Sequence, residues 1–72
     1  MQLTAREQTV LEHVCDGHTT KEIANSLGVS PKTVDIHRVG IYRKLGVHNT
    51  AQCVVMALRL SLFHLPMGPR SG

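Results

Sequence analysis

Lys32, Arg38, Arg43 and Lys44 stand within one stretch, SPKTVDIHRVGIYRKL from Ser30 to Leu45, with Asp35 the only carboxylate among them. The whole chain carries a formal charge of +3, and this stretch accounts for all of it. Elsewhere Arg6, Lys21, Arg59 and Arg70 are balanced by Glu7, Glu12, Asp16 and Glu22. Cations concentrated in this way suit phosphate oxygens, as in a polyanionic nucleic acid. Placed on a helix at about 100° per residue, Val34, His37, Ile41 and Leu45 form one narrow stripe. Lys32, Ile36, Val39 and Arg43 fall on the opposite face, with Asp35 and Gly40 beside them. One side packs against a core. The other is free to meet a partner, as a helix entering a nucleic-acid groove would be.

The five histidines and two cysteines pose a metal question, chiefly in His13-Val14-Cys15-Asp16-Gly17-His18. Residues two apart on a helix point in different directions, so His13 and Cys15 cannot easily grip one ion. No CxxC pair is present either. No metal site and no cofactor is expected. Seventy-two residues leave little room for a substrate pocket of several hundred cubic ångströms, and no catalytic constellation is visible, so an enzyme is not expected. Tyr42 and Phe63 are the only aromatics, too few for the stacking platforms of a single-strand binder. Duplex DNA is the expected nucleic acid.

Cys15 and Cys53 lie among apolar residues, where a buried free thiol is the usual state. The N-terminal MQLTARE has no apolar run, and nothing approaches the roughly 20 residues that span a membrane. The expected setting is a reducing cytoplasm without membrane contact.

The elements that must position these residues are four helices. Thr4 and Glu7 have the spacing of a capping box, Val10, Leu11 and Val14 share a helical face, and Asp16-Gly17 supplies a stop, giving a helix over about 5–16. Thr19 and Glu22 repeat the capping spacing before Ile23, Ala24 and Leu27, giving a second over about 20–27 that Gly28 closes. Ser30 as cap and Pro31 at the first helical position start the third, about 31–45, ended by Gly46. Asn49 with Gln52 opens a fourth, about 50–63. The connection between the second and third helices is very short and contains Gly, which forces a large crossing angle, as in a helix-turn-helix unit. From Cys53 to Leu65 ten of thirteen residues are apolar. Such a helix must be covered on more than one side, one face by the other helices and the other, around Val55, Leu58 and Leu62, by a partner. The breaker-rich 66–72 reads as a disordered tail. The fold class is therefore all-α, a four-helix bundle-like domain over 1–65 containing a helix-turn-helix.

With LTAREQTVLEHVCDG, TTKEIANSLGVSPKTVDIHR and IYRKLGVHNTAQ in register, the chain resembles the LuxR/FixJ/GerE-type DNA-binding domain over nearly all of residues 3–62. The resemblance implies a dimeric regulator of transcription at imperfect palindromes, bacterial and nucleoid-associated, with the dimer contact largely in the fourth helix. It places the helix-turn-helix unit at about 20–39. It also implies base-edge contacts from Asp35, Ile36 and Val39, and backbone contacts from Thr20, Lys21, Ser30, Thr33, Arg38 and Lys44. The local charge adds Lys32 and Arg43 to the phosphate set. RNA polymerase, or an N-terminal sensor or receiver domain in a longer chain such as a response regulator, are the further partners it allows.

Asp35 departs from the family's commoner Lys, Arg or Glu, and Gly40 from its frequent Asn. An aspartate facing phosphates is repelled unless it accepts from a cytosine amino group or is neutralised by a neighbour, for which Arg38 three residues on is the nearest candidate. Gly40 in mid-helix costs roughly 1 kcal/mol against Ala and points either to close approach by DNA or by another helix, or to drift without function. His37, on the core stripe, is expected half-buried and bonded to a carbonyl. The rival reading is an interaction module, an anti-activator that reads DNA poorly and pairs with a related regulator through its last helix.

Overall fold

The computed structural model describes residues 2–60, which form four helices: α1 (Ala5–Cys15), α2 (Thr20–Leu27), α3 (Pro31–Leu45) and α4 (Thr50–Arg59). No strand occurs among the described residues. Each start is set by a side-chain cap. Thr4 and Glu7, and Thr19 and Glu22, close reciprocal capping boxes on α1 and α2, and Ser30 caps α3 ahead of Pro31. Asn49 accepts from the Gln52 N–H at 2.9 Å, but Gln52 Oε1 reaches back one residue further, to the His48 N–H at 2.8 Å. Gly28 and Gly46 sit at φ 69° and 70°, the left-handed conformation that ends α2 and α3.

Two boundaries differ from the sequence reading. Helix α1 ends at Cys15, because Asp16 is already its C-cap, its N–H bonded to the Glu12 carbonyl while the Gly17 N–H takes the Val14 carbonyl. Helix α4 is described only to Arg59, so its expected run to 63, Leu62 and the tail 66–72 lie outside the described residues.

The core draws on every helix. Val10, Leu11 and Val14 of α1 meet Ile23 and Ala24 of α2, Val34, Ile41 and Leu45 of α3, and Cys53 and Ala57 of α4, with Val47 folded in from the α3–α4 turn. Leu11, Ile23 and Ile41 are almost wholly excluded from water. Truncating any of them to Ala would cost about 2–5 kcal/mol, a large share of what so small a domain has. The buried stripe of α3 is the one its periodicity marks, and its opposite face is left outside.

Candidate nucleic-acid interface

On that outer face Ile36 is 62% and Val39 56% exposed, an uncommon exposure for two branched apolar side chains so close on one helix. Lys32, Asp35 and Arg43 are exposed around them. Ser30 and Thr33 lie at the start of α3, their hydroxyls 3.0 Å apart, with Ser30 Oγ also accepting the Thr33 N–H at 3.2 Å. Lys21 is exposed in the first turn of α2. Charge thus lies along the edges of the face, and apolar groups occupy its middle.

Asp35 and Arg38 are not a direct pair. Thr20 stands between them: its hydroxyl donates to Asp35 Oδ1 at 3.3 Å and accepts from Arg38 Nη1 at 3.2 Å. Arg38 Nη2 donates to Tyr42 Oη at 2.9 Å and to Thr50 Oγ1 at 2.8 Å, and the guanidinium carbon lies 5.9 Å from the Tyr42 ring centroid. One half-buried guanidinium therefore ties the start of α2, the middle of α3 and the start of α4 together. Tyr42, four residues after Arg38, is visible in the helical spacing. Thr50 is not, since only the tertiary fold brings α4 to this point.

Lys44 also has a role that spacing does not reveal. Its Nζ lies 2.6 Å from Glu7 Oε1, and its side chain is 35% exposed. Glu7 is buried, caps α1 through the Thr4 N–H at 2.9 Å, and joins α1 to α3 through Lys44. The bond from Lys44 and that from the Thr4 N–H hold its carboxyl below the usual carboxylate range, against the opposing effect of burial. Gly40 is explained by the same carboxylate: a Cβ there would stand 2.7 Å from Glu7 Oε2. The close approach is by α1.

His37 is half-buried as its stripe requires, but bonds no carbonyl among the described residues. Cys15 and Cys53 are free and buried. Burial pushes the Cys15 thiol up to about 11, with smaller pushes from Cys53, Asp16 and Glu12, and burial also raises Cys53, partly offset by Arg38. Cys15 faces the core, apart from His13, whose Nδ1 instead lies 3.0 Å from Nδ1 of His18. Among the described residues no group of three or more His, Cys, Asp or Glu could hold a metal ion, and no helix is long and apolar enough to cross a membrane.

On α4, Val55 and Leu58 are 51% and 38% exposed. Val55 borders an open groove of about 410 Å³, lined also by Val47, Ala51, Met56 and Arg59.

This geometry has counterparts. The family described as bacterial regulatory proteins, luxR family, matches residues 1–57. The chain belongs to that family. It is 44% identical over 63 residues to the spore germination protein GerE of Bacillus subtilis strain 168, covering 88% of this chain and 85% of GerE. It is 48% identical over 61 residues to the uncharacterized response regulatory protein YgeK of Escherichia coli strain K12, covering 85% of this chain but 42% of YgeK. The solved structure of the transcription factor GerE superposes with a TM-score of 0.79 at 34% identity, covering 86% of this chain and 92% of that one. A Vibrio cholera VqmA–ligand–DNA complex gives 0.81 at 32% identity, covering 86% of this chain and 27% of that one. The all-α helix-turn-helix expected from the sequence is the fold of this luxR-family domain. YgeK is named as a response regulatory protein and the solved GerE as a transcription factor, in keeping with a non-catalytic domain, and the chain spans less than half the length of YgeK.

Proposed function

We propose that this luxR-family chain binds double-stranded DNA sequence-specifically, with α3 in the major groove, as the DNA-binding domain, over residues 1–65, of a cytoplasmic transcription regulator. The observation that carries this reading is the outer face of α3, where exposed Ile36 and Val39 are flanked by Lys32 and Arg43. Ile36 and Val39 read thymine methyl groups or sugar edges by apolar contact. Asp35 accepts from a cytosine amino group through Oδ2, since Thr20 engages Oδ1. Lys21, Ser30, Lys32, Thr33, Arg38 and Arg43 hold phosphates through their side chains, and Thr20, whose hydroxyl proton goes to Asp35, does so through its backbone N–H in the first turn of α2. Lys44 has three N–H donors, so it lends one to a phosphate while keeping Glu7.

Two copies pair through Val55 and Leu58 of α4, together with Leu62, which lies outside the described residues. The exposed Val55 and Leu58 support this, because solvent-facing apolar groups of this size gathered on one helix mark association. RNA polymerase, or a sensor or receiver domain in a longer chain, completes the regulator's partners.

The test is binding to a randomised duplex pool at rising salt beside a sizing column. Binding should fall by orders of magnitude between about 50 and 200 mM salt as phosphate-bound counterions compete, and the chain should elute as a dimer. Dimerisation with no duplex binding at any salt would replace this reading with the anti-activator.

A further inference from the structure

The sequence His13-Val14-Cys15-Asp16-Gly17-His18 folds in a way that helical spacing alone does not reveal. Gly17, at φ 87°, turns the chain back on the end of α1. Its N–H donates to the Val14 carbonyl at 3.0 Å, and the His18 N–H donates to the His13 carbonyl at 3.1 Å. These backbone bonds bring two residues five apart to one side of the turn. Their Nδ1 atoms lie 3.0 Å apart, with ring centroids at 5.2 Å and planes inclined at 41°. One Nδ1 must carry a hydrogen and donate it, and the other must accept. If the donating ring moves its proton to its own Nε2, both rings stay neutral and two nitrogen lone pairs face one small volume.

The spacing of those nitrogens selects the chemistry. With metal–nitrogen bonds of about 2.0–2.1 Å, a separation of 3.0 Å sets an angle of about 94° at the metal. That matches the cis angle of square-planar or octahedral ions and is narrower than a tetrahedral ion prefers. Seating the ion draws the ring centroids in to about 4.7 Å, a small side-chain rotation. His18 is exposed and His13 half-buried, so the ion and its waters have access. The pair also sits at the carbonyl end of α1, where the helix dipole favours a cation.

We propose that His13 and His18 form a two-histidine chelate for a divalent ion of Ni(II) or Cu(II) type, with water in the remaining positions. Neither histidine is among the residues assigned to DNA contact. The buried Cys15 takes no part in it.

Calorimetric titration of the chain with NiCl2, in a buffer without imidazole, tests this. One Ni(II) per chain is expected, with His13→Ala and His18→Ala each weakening binding at least tenfold and the double variant little further, because losing either ring destroys the chelate. Cys15→Ser should leave the affinity unchanged. Circular dichroism checks that the variants fold, and the exposed His18→Ala serves alone if His13→Ala does not. Wild-type affinity within twofold of the His18→Ala variant would overturn the site. Zn(II) held more tightly than Ni(II) would overturn the geometric assignment.

Discussion

Gly40 and Glu7 share one small space: a Cβ at position 40 would stand 2.7 Å from Glu7 Oε2. That oxygen belongs to a carboxylate already committed, through Oε1, to Lys44 and to the Thr4 N–H. A glycine that weakens α3 is thereby explained by a contact between α1 and α3.

A double-mutant cycle tests the relationship. Without the carboxylate, in a Glu7→Ala background, Gly40→Ala should stabilise by up to about 1 kcal/mol through helix propensity. In the wild-type background the same substitution displaces Glu7 from its partners, and the gain should vanish or reverse, a coupling of about 1 kcal/mol. Urea unfolding of the four proteins measures it. Equal stabilisation in both backgrounds would show that Glu7 moves aside at no cost.

Acid should loosen the same joint. The folded-state pKa of Glu7 lies below its ordinary value of 4.5, so its contribution is fully present above that value. It is lost as pH falls through the lower, folded-state value. The stability difference between wild type and Glu7→Gln should be flat from neutral pH to about 5 and shrink below about 4. Lys44→Met should shrink the difference at neutral pH, since Lys44 is the largest cause of the shift. Because the pair is partly exposed, its share is at most about 1 kcal/mol. Chemical denaturation at stepped pH gives the curve, and a difference that grows toward acid would contradict the sign.

The local rules of helix starts and stops were legible in the chain, and the joints between helices were not. Thr4 with Glu7, Thr19 with Glu22, and Ser30-Pro31 act over one turn, so spacing alone marks them. The buried stripe of α3 follows from its period in the same way. Lys44 meets Glu7 across 37 positions, and Arg38 meets Thr50 across a turn. No local pattern encodes either contact. Spacing suggested Arg38 for Asp35, but the fold inserted the Thr20 hydroxyl between them. The segment from His13 to His18 stood out by composition, but the contact between the two rings depends on the reversal at Gly17, which helical periodicity ignores.

Edge charges and central apolar groups of α3 should behave differently. Arg43→Ala should weaken all duplexes similarly and lower the slope of log affinity against log salt by about 1. Val39→Ala should instead change the ranking among duplexes. Fluorescence anisotropy on a small panel of duplexes at several salt concentrations separates the two. Uniform scaling by both variants would remove Val39 from the readout set.

Both thiols should be protected by the fold. Cys15 and Cys53 are buried and their thiols are shifted upward, Cys15 to about 11, so the reactive thiolate is scarce near neutral pH. Iodoacetamide at pH 8 should modify the native chain far more slowly than the urea-unfolded chain, with mass spectrometry counting the adducts. Rapid native modification at either cysteine would mean that the core around α1 and α4 opens readily.

Repeated selection from a randomised duplex pool, run in parallel with wild type and an Ile36→Ala/Val39→Ala double variant, bears most directly on the outer face of α3 as a reader of sequence. Wild type should enrich a defined sequence, and the double variant should enrich a different or degenerate one while still binding duplex. Enrichment of the same sequence by both proteins, or of none by wild type, would contradict it.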